Sequence, residues 1–141
     1  MPDKYFIIDF DSTFIKGEAL DILAEISLAK DKGKKEKIAA IKDLTLKAMS
    51  GKMKFDVSLR KRIELLSAKR YHIDILIKKL NKLVSQSIKS NKEFFRKYSD
   101  RIIIISGGFK EYILPVVSRY NIPGKNVYAN TFEFDRSGNI T

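Results

Sequence analysis

The stretch that most constrains this chain runs from Tyr5 to Thr13 and reads YFIIDFDST. Its apolar residues predict a short strand buried on both faces, and two carboxylates one residue apart, Asp9 and Asp11, follow it directly. Ligands bind beyond the carboxyl ends of strands in open α/β sheets, so we expect the two acids at a ligand-binding edge. Because the chain turns here, both acids can face one point while Phe10 packs into the wall.

Two carboxylates held at one point repel each other, and a hard divalent cation relieves that repulsion. Mg²⁺ takes oxygen ligands from one or two carboxylates, a carbonyl and water, and commonly shares its site with a phosphate. A structural alternative is open, because Asp and Ser are common in Asx-type turns after strands. The full D-F-D-S-T pattern after a hydrophobic strand favours the catalytic interpretation.

Composition bounds the class of protein. A chain of 141 residues can form a domain with a hydrophobic core, and without cysteine it has neither disulfides nor thiolate chemistry. We see no signal peptide and no apolar run long enough to cross a bilayer, so we expect a cytoplasmic protein with no membrane partner. The net charge of +11 admits a nucleic-acid partner, but the lysines are spread over several predicted helices, so we favour a solvated surface and no nucleic acid.

A second buried strand is predicted over residues 101–105, where four isoleucines occur in a row. It ends in Ser106, Gly107 and Gly108, and a helix over residues 110–120 follows. A hydroxyl and glycine N–H groups at a strand-to-helix junction form a natural phosphate cradle, although an ordinary tight turn has the same composition. Because the two strands would end at one sheet edge, we expect the carboxylates and the cradle to lie together.

Between the two strands, hydrophobic spacing predicts a series of helices. They cover residues 18–29, 34–49, 55–68, 73–88 and 91–98. This is far more than a simple crossover between parallel strands requires, so we predict an inserted helical cap over residues 16–90. The α/β core would comprise residues 1–15 and 91–141, with a third strand at 127–129 and a hairpin over 131–141.

Two charged residues of the predicted cap stand out. Arg62 borders the apolar stripe of the third helix, and an inward arginine needs an anion, either Glu64 or Asp56 nearby or a substrate carboxylate. Glu18 opens the first helix, where an acid favours the helix dipole, and it could also hold a substrate ammonium group.

Three further residues have structural interpretations. Met49 and Phe55 flank the turn between the second and third helices, and as core residues they need no other role. His72 is the single histidine and heads the fourth helix. We interpret it as a surface or cap residue, since histidine-based triads and zinc sites lack partners for it.

Six stretches of the chain resemble the phosphoserine phosphatase family of the haloacid dehalogenase superfamily. In family order they are D-F-D-S-T-F-I at 9–15, Glu18, A-M-S-G-K-M-K-F at 48–55, S-L-R-K-R at 58–62, S-G-G-F at 106–109 and Y-A-N at 128–130. The resemblance implies a Rossmann-like core with a four-helix cap. It also implies a Mg²⁺-dependent hydrolase of O-phosphoserine; a phosphatase for another small metabolite and a non-catalytic binding module remain open.

The same resemblance implies roles for individual residues. Asp9 would be the nucleophile and a Mg²⁺ ligand, and Asp11 the general acid and base, with its backbone carbonyl on the metal. The implied substrate-binding residues are Thr13, Glu18, Met49, Phe55, Arg62, Ser106, Gly107 and Gly108. Of these, Ser106 and its glycines would bind the phosphate, Glu18 the amino group and Arg62 the carboxylate.

The sequence departs from the family pattern after the predicted hairpin. The family continues with a lysine and a G-D-G-x-N-D loop, and neither occurs here. We therefore expect an amino-terminal portion of an enzyme that binds Mg²⁺ poorly and turns over slowly if at all. Exposed sheet surface would favour a homodimer or association with the missing carboxyl-terminal part.

Overall fold

The computed structural model describes residues 4–141; the expectations for residues 1–3, at the start of the predicted core, lie outside the described residues. The strands are β1 (Phe6–Ile8), β2 (Ile102–Phe109) and β3 (Val127–Asn130). The helices are α1 (Ala19–Ser27), α2 (Lys34–Met49), α3 (Phe55–Leu66), α4 (Arg70–Lys82), α5 (Gln86–Lys89), α6 (Lys92–Lys97) and α7 (Lys110–Ser118), with 3₁₀ turns at Ser99–Arg101 and Gly124–Asn126. None of the described helices has the length and hydropathy needed to cross a membrane.

The chain divides into two compact units. The first contains the described residues up to Ala19 together with Asp74–Phe132, and so holds β1, β2 and β3. The second contains Leu20–Ile73, which is mainly helical, and Glu133–Thr141. The core and cap boundaries predicted from the sequence stay a prediction.

The first unit is built on a parallel sheet in the order β1-β2-β3. Ile7 pairs with Ile103, so the two apolar runs lie side by side in register. The carboxyl ends of β1 and β2 therefore meet at one edge of the sheet, as predicted. The predicted α/β class with a parallel sheet is confirmed.

The prediction that the first two strands are buried on both faces is wrong. Ile102 and Ile104 are fully buried, whereas the side chains of Ile7 and Ile105 are 67% and 50% exposed. Tyr128, which pairs with Ile105 in register, is 59% exposed. Alternate residues of a strand face opposite sides of the sheet, so the described residues cover one side and leave the other to solvent. The exposed apolar surface expected from the sequence is present.

An aromatic cluster fills the covered side of the first unit. Phe10 and Phe14 are fully buried, and their rings stack with centroids 5.9 Å apart. Phe14 also packs edge-on against Phe95 and Tyr120. The burial of Phe10 agrees with the prediction that it packs into the wall while the acids on either side of it do not.

The predicted helix over residues 73–88 is interrupted between α4 and α5. Lys16 donates its N–H to the Leu83 carbonyl, and Ser85 donates its N–H to the Phe14 carbonyl, each at 2.8 Å. This pairing with the loop after β1 replaces helical hydrogen bonds, because an extended segment here satisfies both backbones.

In the second unit, the predicted carboxyl-terminal hairpin is present and pairs with the segment before α4. Phe134 and Ile140 form an antiparallel bridge. Ile140 donates its N–H to the Ala68 carbonyl and Arg70 donates to the Gly138 carbonyl, each at 2.9 Å. The Arg70 guanidinium lies over the Phe134 ring, 3.9 Å from its centroid, which adds a cation–π contact.

His72 heads α4 as a cap, as predicted, but it is buried rather than on the surface. Its Nδ1 accepts the backbone N–H of Lys69 at 2.9 Å. This is the half of a capping box in which a side chain in the first turn reaches back to the residue before the helix. Burial lowers the pKa of His72, and the nearby Lys69 charge lowers it further.

Candidate active site

Asp9 stands directly after β1, at the start of a tight turn over Phe10–Phe14. Its Oδ1 accepts the Phe10 N–H at 2.7 Å, and its carbonyl accepts the Phe14 N–H at 3.3 Å. The side chain is exposed, and Oδ2 accepts no hydrogen bond from residues 4–141. One carboxylate oxygen is therefore anchored, and the other is available to a substrate or a cation.

Asp11 is half-buried, and its Oδ1 accepts the N–H of Ala19 at 2.8 Å. Ala19 is the first residue of α1, so a residue eight positions earlier caps this helix. The cap satisfies an otherwise unpaired helix N–H and fixes the carboxylate beside the positive end of the helix dipole. Sequence reasoning gave Asp11 a chemical role and missed this structural one.

The other candidates of the loop contribute to its closure. Ser12 adopts a left-handed conformation with φ of 58°, and its N–H donates to the Gly17 carbonyl at 2.9 Å. Its hydroxyl donates to Glu18 Oε1 at 2.8 Å, so Glu18 ties the two ends of the loop together. Thr13 is exposed, and its carbonyl accepts the Ser85 hydroxyl at 2.6 Å.

The predicted phosphate cradle is a bulge in β2. Ile105 pairs with Tyr128 and Phe109 pairs with Asn130, so residues 106–108 of β2 lie opposite a single residue of β3. A bulge lifts the extra residues out of the ladder and re-aims their side chains and backbone groups. The bulge therefore lies at the same edge of the sheet as Asp9, which directly follows β1.

The bulge is held by two side-chain hydrogen bonds. The Gly107 carbonyl accepts Nδ2 of Asn130 at 3.0 Å, and the Gly108 N–H donates to Ser106 Oγ at 2.9 Å. Gly108 is buried, and a Cβ there would lie 2.5 Å from the Tyr112 hydroxyl. Packing alone thus requires glycine at 108. Sequence reasoning assigned no role to Asn130, although its place in the Y-A-N stretch was a signal.

The second unit carries the remaining candidates. Arg62 is buried on α3, its Nη1 donates to Thr45 Oγ1 at 3.3 Å, and its guanidinium carbon lies 5.9 Å from the Phe55 ring centroid. The interpretation of Met49 and Phe55 as core residues is wrong, because they are 80% and 52% exposed. The short link between α2 and α3 places these large apolar side chains at one end of a helical hairpin, where they are available for contact with a ligand.

A magnesium ion would find oxygen donors at Asp9 and Asp11. Mg²⁺ takes one or two carboxylates and completes its shell with water and phosphate oxygens, which suits the exposed side chain of Asp9. Across the described part of the chain, no three His, Cys, Asp or Glu side chains are grouped to hold a metal. The donors present fit an ion shared with water and phosphate rather than one enclosed by protein.

A parallel α/β core with paired acids after β1 and a hydroxyl–glycine bulge within β2 matches solved structures of the haloacid dehalogenase class of fold. A phosphoserine phosphohydrolase-like protein from Francisella tularensis has this fold with a TM-score of 0.83 and 31% identity, over 99% of this chain and 63% of that chain. A phosphoserine phosphatase solved as a phospho-aspartyl intermediate analogue matches with a TM-score of 0.74 and 24% identity, over 100% of this chain and 62% of that one.

Within that class the chain is homologous to the phosphoserine phosphatases, and the resemblance predicted from the sequence is confirmed. The human phosphoserine phosphatase is 31% identical over 130 residues, which are 92% of this chain and 54% of the human protein. The chain spans about half the length of the curated relatives it matches. No protein-family model matches the chain.

Proposed function

We propose that this chain is a Mg²⁺-dependent phosphomonoester hydrolase that acts on O-phosphoserine through an aspartyl-phosphate intermediate. The observation that carries the proposal is the parallel pairing of β1 with β2, since it brings the Asp9 loop and the Ser106 bulge to one sheet edge. Phosphoryl transfer needs an in-line nucleophile and groups that neutralise phosphate charge, and these residues supply both. A cytoplasmic location and a place in serine biosynthesis belong to the same proposal.

Asp9 is the nucleophile in this proposal. Its carboxylate oxygen attacks phosphorus, the bond from phosphorus to the serine oxygen breaks, and Asp11 gives a proton to that oxygen. Asp11 then takes a proton from water, the water oxygen attacks phosphorus, and the bond to Asp9 breaks to release inorganic phosphate. The exposed side chain of Asp9 supports its role as nucleophile, and the Ala19 N–H holds the Asp11 carboxylate in a fixed orientation. The phospho-aspartyl form of the related phosphatase also supports the role of Asp9.

The phosphate group is bound by the Ser106 bulge. Ser106 Oγ accepts the Gly108 N–H, which leaves the serine proton to donate to a phosphate oxygen. Asp9 and Asp11 would hold Mg²⁺, which would neutralise charge on the phosphate. Because the chain groups no third acid with this pair in its described part, we expect weak Mg²⁺ binding and slow turnover.

The serine part of the substrate is recognised by Glu18 and Arg62. Glu18 holds the ammonium group, and the guanidinium of Arg62 binds the carboxylate, a pairing for which its planar fork is suited. Met49 and Phe55 pack over the substrate, and Thr13 adds a hydroxyl. The burial of Arg62 beside the Phe55 ring and the exposure of Phe55 and Met49 support this assignment, because exposed apolar side chains are available for contact with a ligand.

Phosphate release from L-phosphoserine in the presence of Mg²⁺ tests the proposal. We expect slow release by the natural chain, which is lost in Asp9→Asn and after chelation of the metal. Asp43→Asn is the matched control, because Asp43 forms a surface ion pair with Lys47 on α2. Equal release by the natural chain and Asp9→Asn would overturn the proposal.

A further inference from the structure

Two asparagines at opposite ends of β3 donate side-chain hydrogen bonds to the backbone of β2 or of the turn before it. Before β3, Asn126 Nδ2 donates to the carbonyls of Asp100 and Ile102, each at 3.1 Å. At the end of β3, Asn130 Nδ2 donates to the Gly107 carbonyl at 3.0 Å. Only Asn130 of this pair reaches the bulge, so the two positions form a natural matched pair for experiment.

The Asn130 hydrogen bond replaces one that the bulge removes. Residues 106–108 lie opposite one residue of β3, so their backbone groups cannot all pair in the ladder and need other partners. The Gly107 carbonyl finds its partner in Asn130. The same peptide unit is planar, so fixing its carbonyl also fixes the direction of the Gly108 N–H, which donates to Ser106 Oγ at 2.9 Å.

The carboxyl-terminal flank of the bulge has contacts that do not involve the Asn130 side chain. Phe109 stacks on Phe132 with ring centroids 3.8 Å apart and planes 4° from parallel. Phe132 donates its N–H to Glu111 Oε1 at 2.9 Å, at the start of α7. Removing the Asn130 amide therefore frees the middle of the bulge and leaves its carboxyl-terminal side packed.

We propose that Asn130 is a positioning residue of the anion site, and this rests on the proposed function. Its amide holds the Gly107 peptide, the Gly108 N–H then holds Ser106 Oγ as an acceptor, and the serine proton is left pointing to a tetrahedral oxyanion. Asn130 itself does not touch the phosphate. The bond from Asn130 to Gly107 is exposed, so water can replace it in a variant. Loss of this hydrogen bond mainly disorders the Ser106 side chain and has a smaller effect on the free energy of unfolding.

NMR titration of the natural chain, Asn130→Ala and Asn126→Ala with inorganic phosphate and Mg²⁺ tests this role. The backbone amide signals of Gly107 and Gly108 report binding at the bulge. We expect Asn130→Ala to weaken phosphate binding roughly 2- to 10-fold, the effect of one net hydrogen bond. We also expect faster hydrogen exchange of the Gly108 amide before phosphate is added. Asn126→Ala should bind phosphate as the natural chain does.

The outcomes distinguish the claim that the bulge binds phosphate from the claim that Asn130 positions Ser106. If phosphate does not shift the Gly107 and Gly108 signals of the natural chain, the cradle of the proposed function is refuted, and the role of Asn130 with it. If the natural chain and Asn130→Ala bind equally, the role of Asn130 is refuted and the cradle stands. Should Asn130→Ala not fold, the near-isosteric Asn130→Asp removes the donor, and unchanged Gly108 exchange in that variant would refute the role.

Discussion

At the scale of single residues, packing leaves no room for a side chain at Gly108. A Cβ there would lie 2.5 Å from the Tyr112 hydroxyl and 3.1 Å from Ser106 Oγ, and Tyr112 is fully buried and cannot swing away. We predict that Gly108→Ala lowers the free energy of unfolding by about 1–3 kcal/mol, as overpacking does. Urea denaturation measures it. Gly124→Ala is the control, because its Cβ would meet Leu114 at 3.5 Å, an ordinary contact; equal effects would contradict the packing argument.

The sequence could identify those residues whose positions in the fold are set by the residues next to them in the chain. Asp9 and Ser106 each follow an apolar run, so their places directly after β1 and after the isoleucines of β2 can be predicted from local pattern alone. Asn130 could not be assigned a role in this way, because its contact with Gly107 depends on how β2 and β3 slip past each other. The exposure of Met49 likewise depends on what packs against it, which composition does not encode.

At the scale of elements, the amino end of α4 depends on a neutral histidine. His72 Nδ1 accepts the Lys69 N–H, and a proton on that nitrogen would abolish the bond. The pKa of His72 is lowered by burial and by Lys69 from its ordinary value of 6.5, so the unfolded chain binds this proton at a higher pH than the folded chain. Stability from this cap is therefore complete above about pH 6.5 and is lost as the pH falls below it.

We predict that the urea concentration at the unfolding midpoint decreases as the pH is lowered from about 7 to about 5. His72→Gln should remove the part of this decrease that comes from titration of His72. Glutamine at this position keeps an acceptor for the Lys69 N–H, as in a capping box, but does not titrate. Urea titrations of the two proteins across this range measure the difference. The same pH dependence in both would show that His72 does not carry it.

Helix and strand boundaries are predicted wrongly where a distant segment of the chain changes the local structure. The sequence predicted one helix over residues 73–88, but Leu83 and Ser85 pair with Lys16 and Phe14 instead. Helical periodicity is a local signal, and a partner some seventy positions earlier in the chain overrides it. The second strand, by contrast, was predicted over residues 101–105 because four isoleucines in a row have no amphipathic alternative; β2 contains this run but continues to Phe109.

At the scale of the whole molecule, two features have opposite effects on self-association: an uncovered apolar sheet face favours it, and a high net charge disfavours it. Ile7, Ile105 and Tyr128 are each at least half exposed, while the chain carries a net charge of +11. We predict that the chain self-associates and does so more strongly as salt screens the charge repulsion. Sedimentation equilibrium at low and high salt measures the average mass. A monomer under all conditions would contradict the prediction.

The uncovered face can be tested by substitution. We predict that Ile7→Thr together with Ile105→Thr shifts the equilibrium toward monomer, because apolar area is removed from the contact. Leu46→Thr is the matched control, since Leu46 is 65% exposed on α2 in the other unit. An equal shift in the control would show that association does not use the sheet face.

The most direct test of the central claim is the detection of a phosphoryl group on Asp9. An aryl phosphate with a weakly basic leaving group needs no acid catalyst, so the Asp11→Asn variant should be phosphorylated by it and then fail to activate water. After incubation with Mg²⁺ and quenching in acid, mass spectrometry of the peptides locates the added group. The proposed mechanism predicts that it is on Asp9. Phosphate release without any phosphorylated Asp9, or with the group on Ser12, would contradict it.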